Sequence, residues 1–470
     1  MATLARRPVG GTNLANWFGQ YIWSFDEPVS AVGWNCQKVG QGHLAYHPEL
    51  PVTPVRIDGR PSGALIGWPV LDGAFPTSIE SNSFDDFKET LENFGGRWLY
   101  IGNDRVITDP FASQPCVYRE QTGELASSVN LLSNVADQDD ELVSLIAAAD
   151  NDFFYPFGLT NRRGVRRLLA NQELLLPSFS TRRWNKLPTF TGTLQEAARE
   201  ISSVAALTTE PFHKKFGIVI PLTAGFDSRM LLACLRTYVG EAVLLTNVSH
   251  TRTSEIDVDL ARAVAKRLNL PHTLHPKQES DAAIAAWDEQ TGRPTGGGVR
   301  KGNMLEPPFG DRSYLSGFGG EHAKAYYVRP DDSGKRGLSL SDSLTLLRVP
   351  RHPLIEAVAE QWLAELPSAD LALQKEYLYI EQKTGSWGAP QVLMPQRSAP
   401  RMFSFNHRRI IGAMLSASIE DRRAVNVHRE VIRQSWPELL NWPFNDFVGW
   451  KAKREFVTKN IRYYTKRFRA

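Results

Sequence analysis

The sequence predicts a two-domain chain: an all-β or α+β N-terminal unit followed by an α/β unit built on a parallel sheet with helices. Three observations carry this. The chain has 470 residues, too many for one ordinary core. Residues 1–60 are rich in Gly, Pro and Trp with short alternating pieces, and Gly63–Val70 is similar, the pattern of short strands and turns. Residues 216–248 instead read as strand, small-residue turn, helix and strand, which demands parallel pairing through a right-handed crossover.

Composition narrows the function classes. A charged fraction of 22% and a hydrophobic fraction of 42% are those of a globular protein. A net charge of +3 is too small to argue for nucleic acid. Cys36, Cys116 and Cys234 lie far apart and form no metal or redox spacing. No apolar run is long enough to span a bilayer, and the opening MATLARRPVGG lacks the core of a signal peptide. The expectation is a cytoplasmic protein with neither a membrane nor a nucleic-acid partner; its oligomeric state is left open.

In chain order, Pro54–Ile57 and Gly63–Val70 read as strands. Ser83–Phe94 places Phe87, Leu91 and Phe94 at helical spacing with acidic residues early. Gly95-Gly96 ends that helix, and Arg97–Ile101 with Arg105–Thr108 forms a hairpin about Gly102-Asn103-Asp104. Asn161–Leu174 has a helical pattern, and Pro177–Thr191 reads as a connection, which puts a boundary near Phe190. Leu194–Leu207 reads as a helix.

Phe216–Leu222 is a β-branched apolar run suited to a strand buried on both faces. Thr223-Ala224-Gly225-Phe226-Asp227-Ser228 follows, then Met230, Leu231, Leu232 and Cys234 in helical order. A small-residue turn there gathers backbone N–H groups at a helix N-terminus, which favours an anion. Gly225 permits close approach, Thr223 and Ser228 add hydroxyls, and Asp227 would welcome a Mg²⁺ carried by a phosphate. An ordinary strand–turn–helix junction fits the same residues.

Glu241–Val248 is the next buried strand, which brings Asn247–Ser249 to the same sheet edge as Thr223–Asp227. Ser254 with Asp257 reads as a helix cap, and Ile256, Leu260, Val264 and Leu268 form its core stripe. His272 reads as a structural or surface histidine. Arg293–Pro308 is a Gly/Pro-rich loop; its Gly296-Gly297-Gly298 lacks the Lys-Ser/Thr of a Walker A loop, though Arg300 and Lys301 could reach a phosphate. Tyr314–Tyr327 runs from a short strand into Ser316-Gly317-Phe318-Gly319-Gly320-Glu321. Leu354–Leu366 and Leu371–Gln382 carry helical stripes.

Leu222-Thr223-Ala224-Gly225-Phe226-Asp227-Ser228 resembles the pyrophosphate-binding loop (Ser-Gly-Gly-x-Asp-Ser) of the ATP pyrophosphatases, and within them the synthetase domain of asparagine synthetases, β-lactam synthetases and lasso-peptide cyclases. Thr223 replaces the first Ser and Ala224 the first Gly. Ser316–Glu321 resembles the same family's Ser-Gly-x-Gly-Gly/Ser-Asp segment. The resemblance implies ATP and Mg²⁺ as cofactors, with Leu222, Thr223, Ala224, Gly225, Asp227, Ser228, Val248, Gly317, Phe318 and Gly319 about the nucleotide. It implies Asp227 and Glu321 as the Mg²⁺ ligands. Gly449–Phe456 resembles the segment (Trp-x-x-Lys-x-x-Phe) that carries a lysine into the site, which makes Lys453 the catalytic lysine; a basic amphipathic tail is the alternative. At the position of Phe318 asparagine synthetases have an acid and β-lactam synthetases a Tyr, and Phe does neither job.

Gly96–Tyr118, with Asp109-Pro110-Phe111-Ala112, is similar to the segment closing the glutaminase domain of asparagine synthetases. By this resemblance residues 1–190 are a degenerate N-terminal-nucleophile (Ntn) glutaminase-like β-sandwich, and 191–470 a synthetase domain with the ATP-pyrophosphatase (PP-loop) sheet. The family's nucleophile is a Cys after the initiator Met, and position 2 is Ala2, so glutamine hydrolysis is not expected. The implied activity is adenylation of a substrate carboxylate and its transfer to an amine, with release of AMP and pyrophosphate. Two alternatives stay open: a non-catalytic scaffold or partner protein, and a PP-loop enzyme that modifies a nucleotide or tRNA.

Overall fold

The computed structural model describes residues 14–25, 31–133, 135–150, 152–176, 178–276, 281–296, 311–393, 399–448 and 451. It is a mixed α/β architecture of three sheets. Among the described residues, a six-stranded antiparallel sheet and a seven-stranded, almost wholly antiparallel sheet come from the N-terminal half, and a five-stranded parallel sheet from the C-terminal half.

The two antiparallel sheets share one core. Tyr21, Trp23, Leu44 and Leu125 of the first meet Ile66, Leu99, Ile101 and Leu174 of the second. The residues between them in sequence point the other way, because strand side chains alternate. Leu65, Trp98, Tyr100 and Ile107 therefore pack under the helix Phe84–Leu91, against Phe87, Leu91 and Phe94. Every residue of the strand Gly95–Gly102 is buried because both faces of its sheet are covered. The hairpin with Arg105–Thr108 forms as expected, with Leu99 paired to Thr108 and Ile101 to Val106.

Asn161–Leu174 is not a helix. It contributes the strand Arg166–Arg167, paired with Val117 and Tyr118, and the start of Gln172–Leu175, paired with Arg105–Ile107. Leu168 enters the core between the sheets while Leu169 joins the larger core, a period-2 division that a helix cannot make.

The helix Leu194–Phe216 begins in a capping box between Thr193 and Glu196. It runs past the expected end at Leu207, and the strand after it is correspondingly shorter, Ile218–Pro221, with Gly217 (φ 66°) making the corner. Parallel neighbours are Val243–Val248 on one side and Ser313–Ser316 on the other, with Val219 opposite both Val243 and Tyr314. His272–Pro276 and Met402–Phe403 complete the edges. Strand order thus reverses between Ile218–Pro221 and Ser313–Ser316. In such sheets the crevice beyond the carboxyl ends at the reversal receives ligands. No helix among the described residues is long and apolar enough to cross a membrane.

The halves join through the Asp109–Ala112 turn. The buried Asp109 carboxylate accepts the N–H groups of Phe111 (3.0 Å), Ser113 (3.0 Å) and Gln114 (2.9 Å). Asn406 donates to Asp109 Oδ1 (2.8 Å) and to Gly96 O (2.7 Å), and accepts from Phe111 N (3.0 Å). Burial pushes the Asp109 pKa up and these hydrogen bonds oppose it. Asn406→Ala leaves several of these buried groups without a partner, which lowers stability by roughly 2–4 kcal/mol. Urea unfolding followed by tryptophan fluorescence measures it, and an unchanged midpoint would show that the turn does not depend on Asn406.

Candidate functional site

The first loop, Thr223–Ser228, leaves the central strand where Leu222 N donates to Leu245 O at 2.8 Å. Gly225 caps the helix Phe226–Cys234 with its N–H on Thr223 Oγ1 (3.2 Å), and the Thr223 and Ser228 hydroxyls bond each other. A Cβ on Gly225 would meet those two hydroxyl oxygens at 3.5 Å and Asn445 Oδ1 at 3.9 Å, all at ordinary contact distance, so there is room over the turn. The first N–H groups of the helix have no intrahelical acceptor. One donor of the turn is already used: Ala224 N gives its hydrogen to Asp257 Oδ1 at 2.8 Å.

Asp257 is therefore not a cap partner of Ser254. Thr251 caps the helix Arg252–Leu268, accepting from Ser254 N at 3.2 Å, and Ser254 Oγ accepts from Ser249 N at 2.8 Å and donates to Asn247 O at 3.3 Å. Those bonds flank Val248, at the end of the neighbouring strand. His272 bonds Thr246 Oγ1 at 2.8 Å, a structural role as expected.

The second loop follows the strand Ser313–Ser316 and lies directly on the first. A Cβ on Gly317 would stand 2.8 Å from both Asp227 C and Ser228 N. One on Gly320 would stand 2.7 Å from Asp227 Oδ1 and 2.9 Å from Asp227 Cβ. Only glycine at both positions allows this approach. Gly319 takes a positive φ of 95° and its N–H donates to Glu321 Oε2 at 2.9 Å. Arg422 holds the turn from behind, donating Nε to His322 O at 3.0 Å while pairing with Glu376 at 2.7 Å.

The structure brings Asp227 and Glu321 together, but Asp227 is not an open metal ligand. Its Oδ2 accepts from Lys324 Nζ at 2.5 Å and its Oδ1 from His428 Nε2 at 2.8 Å. Burial alone would raise the Asp227 pKa; the hydrogen bond and charge of His428, and then Lys324, outweigh it and hold the carboxyl below its ordinary range. Glu321 goes the other way, pushed up to about 7 by burial first and by the Asp227 charge second. Among the described residues no group of three or more His, Cys, Asp and Glu stands at metal-binding spacing. With both Asp227 oxygens held by nitrogen donors, this donor set does not fit a Mg²⁺ shared with Glu321.

Phe318 does not face the crevice. Its ring lies 4.9 Å from Phe403 and 6.0 Å from both Phe111 and Trp387, centroid to centroid. Residues 442–445, which precede the Gly449–Phe456 segment, reach the first loop. Asn445 N donates to Ala224 O at 3.0 Å, and Phe444 stacks on Phe226 at 4.0 Å. The buried Arg229 guanidinium lies 3.8 Å from the centre of the Phe444 ring and donates to Pro443 O (2.7 Å) and Trp442 O (2.9 Å). Lys451 pairs with Asp259 at 3.1 Å. Lys453, Arg300 and Lys301 lie outside the described residues.

Behind the second loop, Tyr379 packs against His322, Tyr326 and Tyr327 at 5.1–5.6 Å. Tyr326 and Tyr327 border a cavity of about 510 Å³ also lined by Phe154, Arg348, Lys383 and Trp387. Lys383 Nζ stands 4.0 Å from the Trp387 ring centre, and burial brings its pKa down to about 8. A second hollow, between Gln20, Arg97, Gln114 and Arg401, holds about 30 Å³, far too little for a nucleotide.

No protein-family profile matches the chain, and no curated protein matches it. Among solved structures, an NMN synthetase from Francisella tularensis is similar over 40% of this chain and 94% of that one, at 16% identity and a TM-score of 0.21. A score that low does not establish a common fold.

The Glu321 shift has a sign that can be measured. A carboxyl whose pKa rises from 4.5 to about 7 on folding keeps its proton in the native state where the unfolded chain has lost it. Its contribution to stability is present below 4.5 and lost as pH rises through about 7. Thermal midpoints across that window should fall more steeply for the wild type than for Glu321→Gln. Parallel curves would place the Glu321 pKa at its ordinary value.

Proposed function

We propose that the chain is an ATP-dependent, amide-bond-forming synthetase that adenylates a substrate carboxylate and passes the acyl group to an amine. The observation that carries this is the nesting of Gly317 and Gly320 on Asp227 and Ser228 at the reversal point of a parallel sheet. It gives one crevice with a helix N-terminus, two hydroxyls and an ammonium.

In this proposal the β,γ-phosphates lie over Thr223–Ser228 and the adenine lies beside Val248. The substrate carboxylate lies in the same crevice, within reach of the α-phosphorus. A carboxylate oxygen attacks the α-phosphorus, the bond from that phosphorus to the β-bridging oxygen breaks, and pyrophosphate departs. The helix N-terminus and Lys324 receive its charge. The amine nitrogen then attacks the acyl carbon, AMP leaves, and the amine proton passes to a base. Glu321, with a pKa near 7, suits that task. Lys453 completes the proposed site as the C-terminal ammonium.

Glutamine is not the proposed amine donor. Cys116 is buried, which pushes its thiol up to about 12, and Cys36 sits exposed in mid-chain on the strand Asn35–Val39 with no α-amine beside it. Nucleophilic thiols need the thiolate and a base. The rival reading, a scaffold that binds no nucleotide, draws on the saturation of Asp227 by Lys324 and His428.

Binding separates the two. Titration with a non-hydrolysable ATP analogue should saturate, and Gly225→Ala should weaken it about tenfold or more, because the new methyl enters the space left for the phosphates. The thermal midpoint should not move, since that methyl meets no protein atom closer than 3.5 Å. ATP–pyrophosphate exchange across a carboxylate panel then identifies the acid. Failure of the folded wild type to bind would sink the synthetase proposal and leave the scaffold.

A further inference from the structure

We infer that Lys324 is a built-in counter-cation of Asp227, with His428 as the second hydrogen-bond partner of that carboxylate, so that the crevice receives a polyphosphate with no divalent ion on it. The inference rests on the proposed nucleotide site.

Three observations carry it. First, both carboxylate oxygens are held, Oδ2 by Lys324 Nζ at 2.5 Å and Oδ1 by His428 Nε2 at 2.8 Å. Second, the Gly320 backbone crowds the same carboxylate: a Cβ there would stand 2.7 Å from Oδ1 and 2.9 Å from the Asp227 Cβ. A magnesium ion holds its oxygens at about 2.1 Å and keeps several waters, which needs room on the ligand's open side. Third, the charge is already balanced. A dication on Asp227 would sit within a few ångströms of the Lys324 ammonium, and that repulsion opposes binding in a half-buried site.

The arrangement is built, not adventitious. Lys324 ends the turn Gly320–Lys324, whose carbonyl at His322 is fixed by Arg422. Its side chain is 24% exposed and that of Asp227 19%, while His428 is wholly buried. A lysine there can hold Asp227 and also present charge to phosphate oxygens, as lysines do when they bind phosphate as a point charge. In chemical terms one fixed monovalent cation replaces an exchangeable divalent one.

The test is calorimetric titration of the full chain with α,β-methylene ATP and, separately, with inorganic pyrophosphate, each in EDTA and in excess Mg²⁺. For the wild type, the affinities with and without Mg²⁺ should agree within about threefold. Lys324→Met should lose about tenfold or more in EDTA and recover most of it in Mg²⁺, because Oδ2 is then vacant; Lys324→Arg should keep the wild-type independence. Wild-type binding that vanishes in EDTA, or binding in EDTA that Lys324→Met leaves unchanged, overturns the inference while the synthetase proposal stands. No binding under either condition overturns both. If Lys324→Met does not fold, Mn²⁺ titration of the wild type followed by electron paramagnetic resonance decides. No stoichiometric Mn²⁺ is expected, and one bound Mn²⁺ that Asp227→Asn removes would overturn the inference.

Discussion

The site depends on one steric constraint: the backbone of the second loop lies where side chains would otherwise be, against Asp227 and Ser228. Gly317 and Gly320 make that contact, and any Cβ there would collide with main-chain atoms or the Asp227 side chain. The contact sets the distance between the two strands' carboxyl ends. It also places Lys324, one turn beyond Gly320, within reach of Asp227. Electrostatics follows from this packing. Glu321 and Asp227 are close enough for one charge to disfavour the other, and the hydrogen bonds that His428 and Lys324 make to Asp227 favour ionisation there.

The N-terminal half takes part in this geometry. Phe111, in the turn fixed by Asp109 and Asn406, packs its ring against Phe318, His322 and Phe403. It therefore supports the back of the second loop, and Gly319 is glycine partly because the Phe111 ring fills the space a Cβ would need. One continuous core runs from Trp68, Val70 and Phe111 through Ile218 and Leu315 to Phe403. A half with no evident nucleophile thus has a physical role, as a wall of the other half's loop.

The sequence made the strand–turn–helix unit legible because its signals are local: a β-branched run, a small-residue turn and a following apolar stripe. Both glycine-bearing loops were legible for the same reason. What it concealed was the chemistry contributed from a distance. Lys324, Asp257, Arg229 and His428 have no local pattern that announces their roles, which come from pairings as far as 214 residues apart. Asp257 was taken for a cap because it stands three residues after Ser254, a spacing that fits a capping box as well as a tertiary bond. The false helix at Asn161–Leu174 arose where Leu168 and Leu169 enter different cores, so that a run of apolar residues imitated a stripe.

Phe318 shows how a departure from a pattern should be weighed against its surroundings. In sequence it stands where the asparagine synthetases and β-lactam synthetases that the loop resembles keep an acid or a tyrosine, which invites the conclusion that the site has decayed. In the fold its ring lies among Phe111, Phe403 and Trp387, and Gly388 is glycine where that ring leaves no space for a Cβ. A carboxylate in that cluster would be buried among aromatic rings, a costly state. The aromatic residue therefore belongs to the seam between the halves. The titrating group of the second loop is instead the Glu321 carboxyl, which burial and the Asp227 charge push up to about 7.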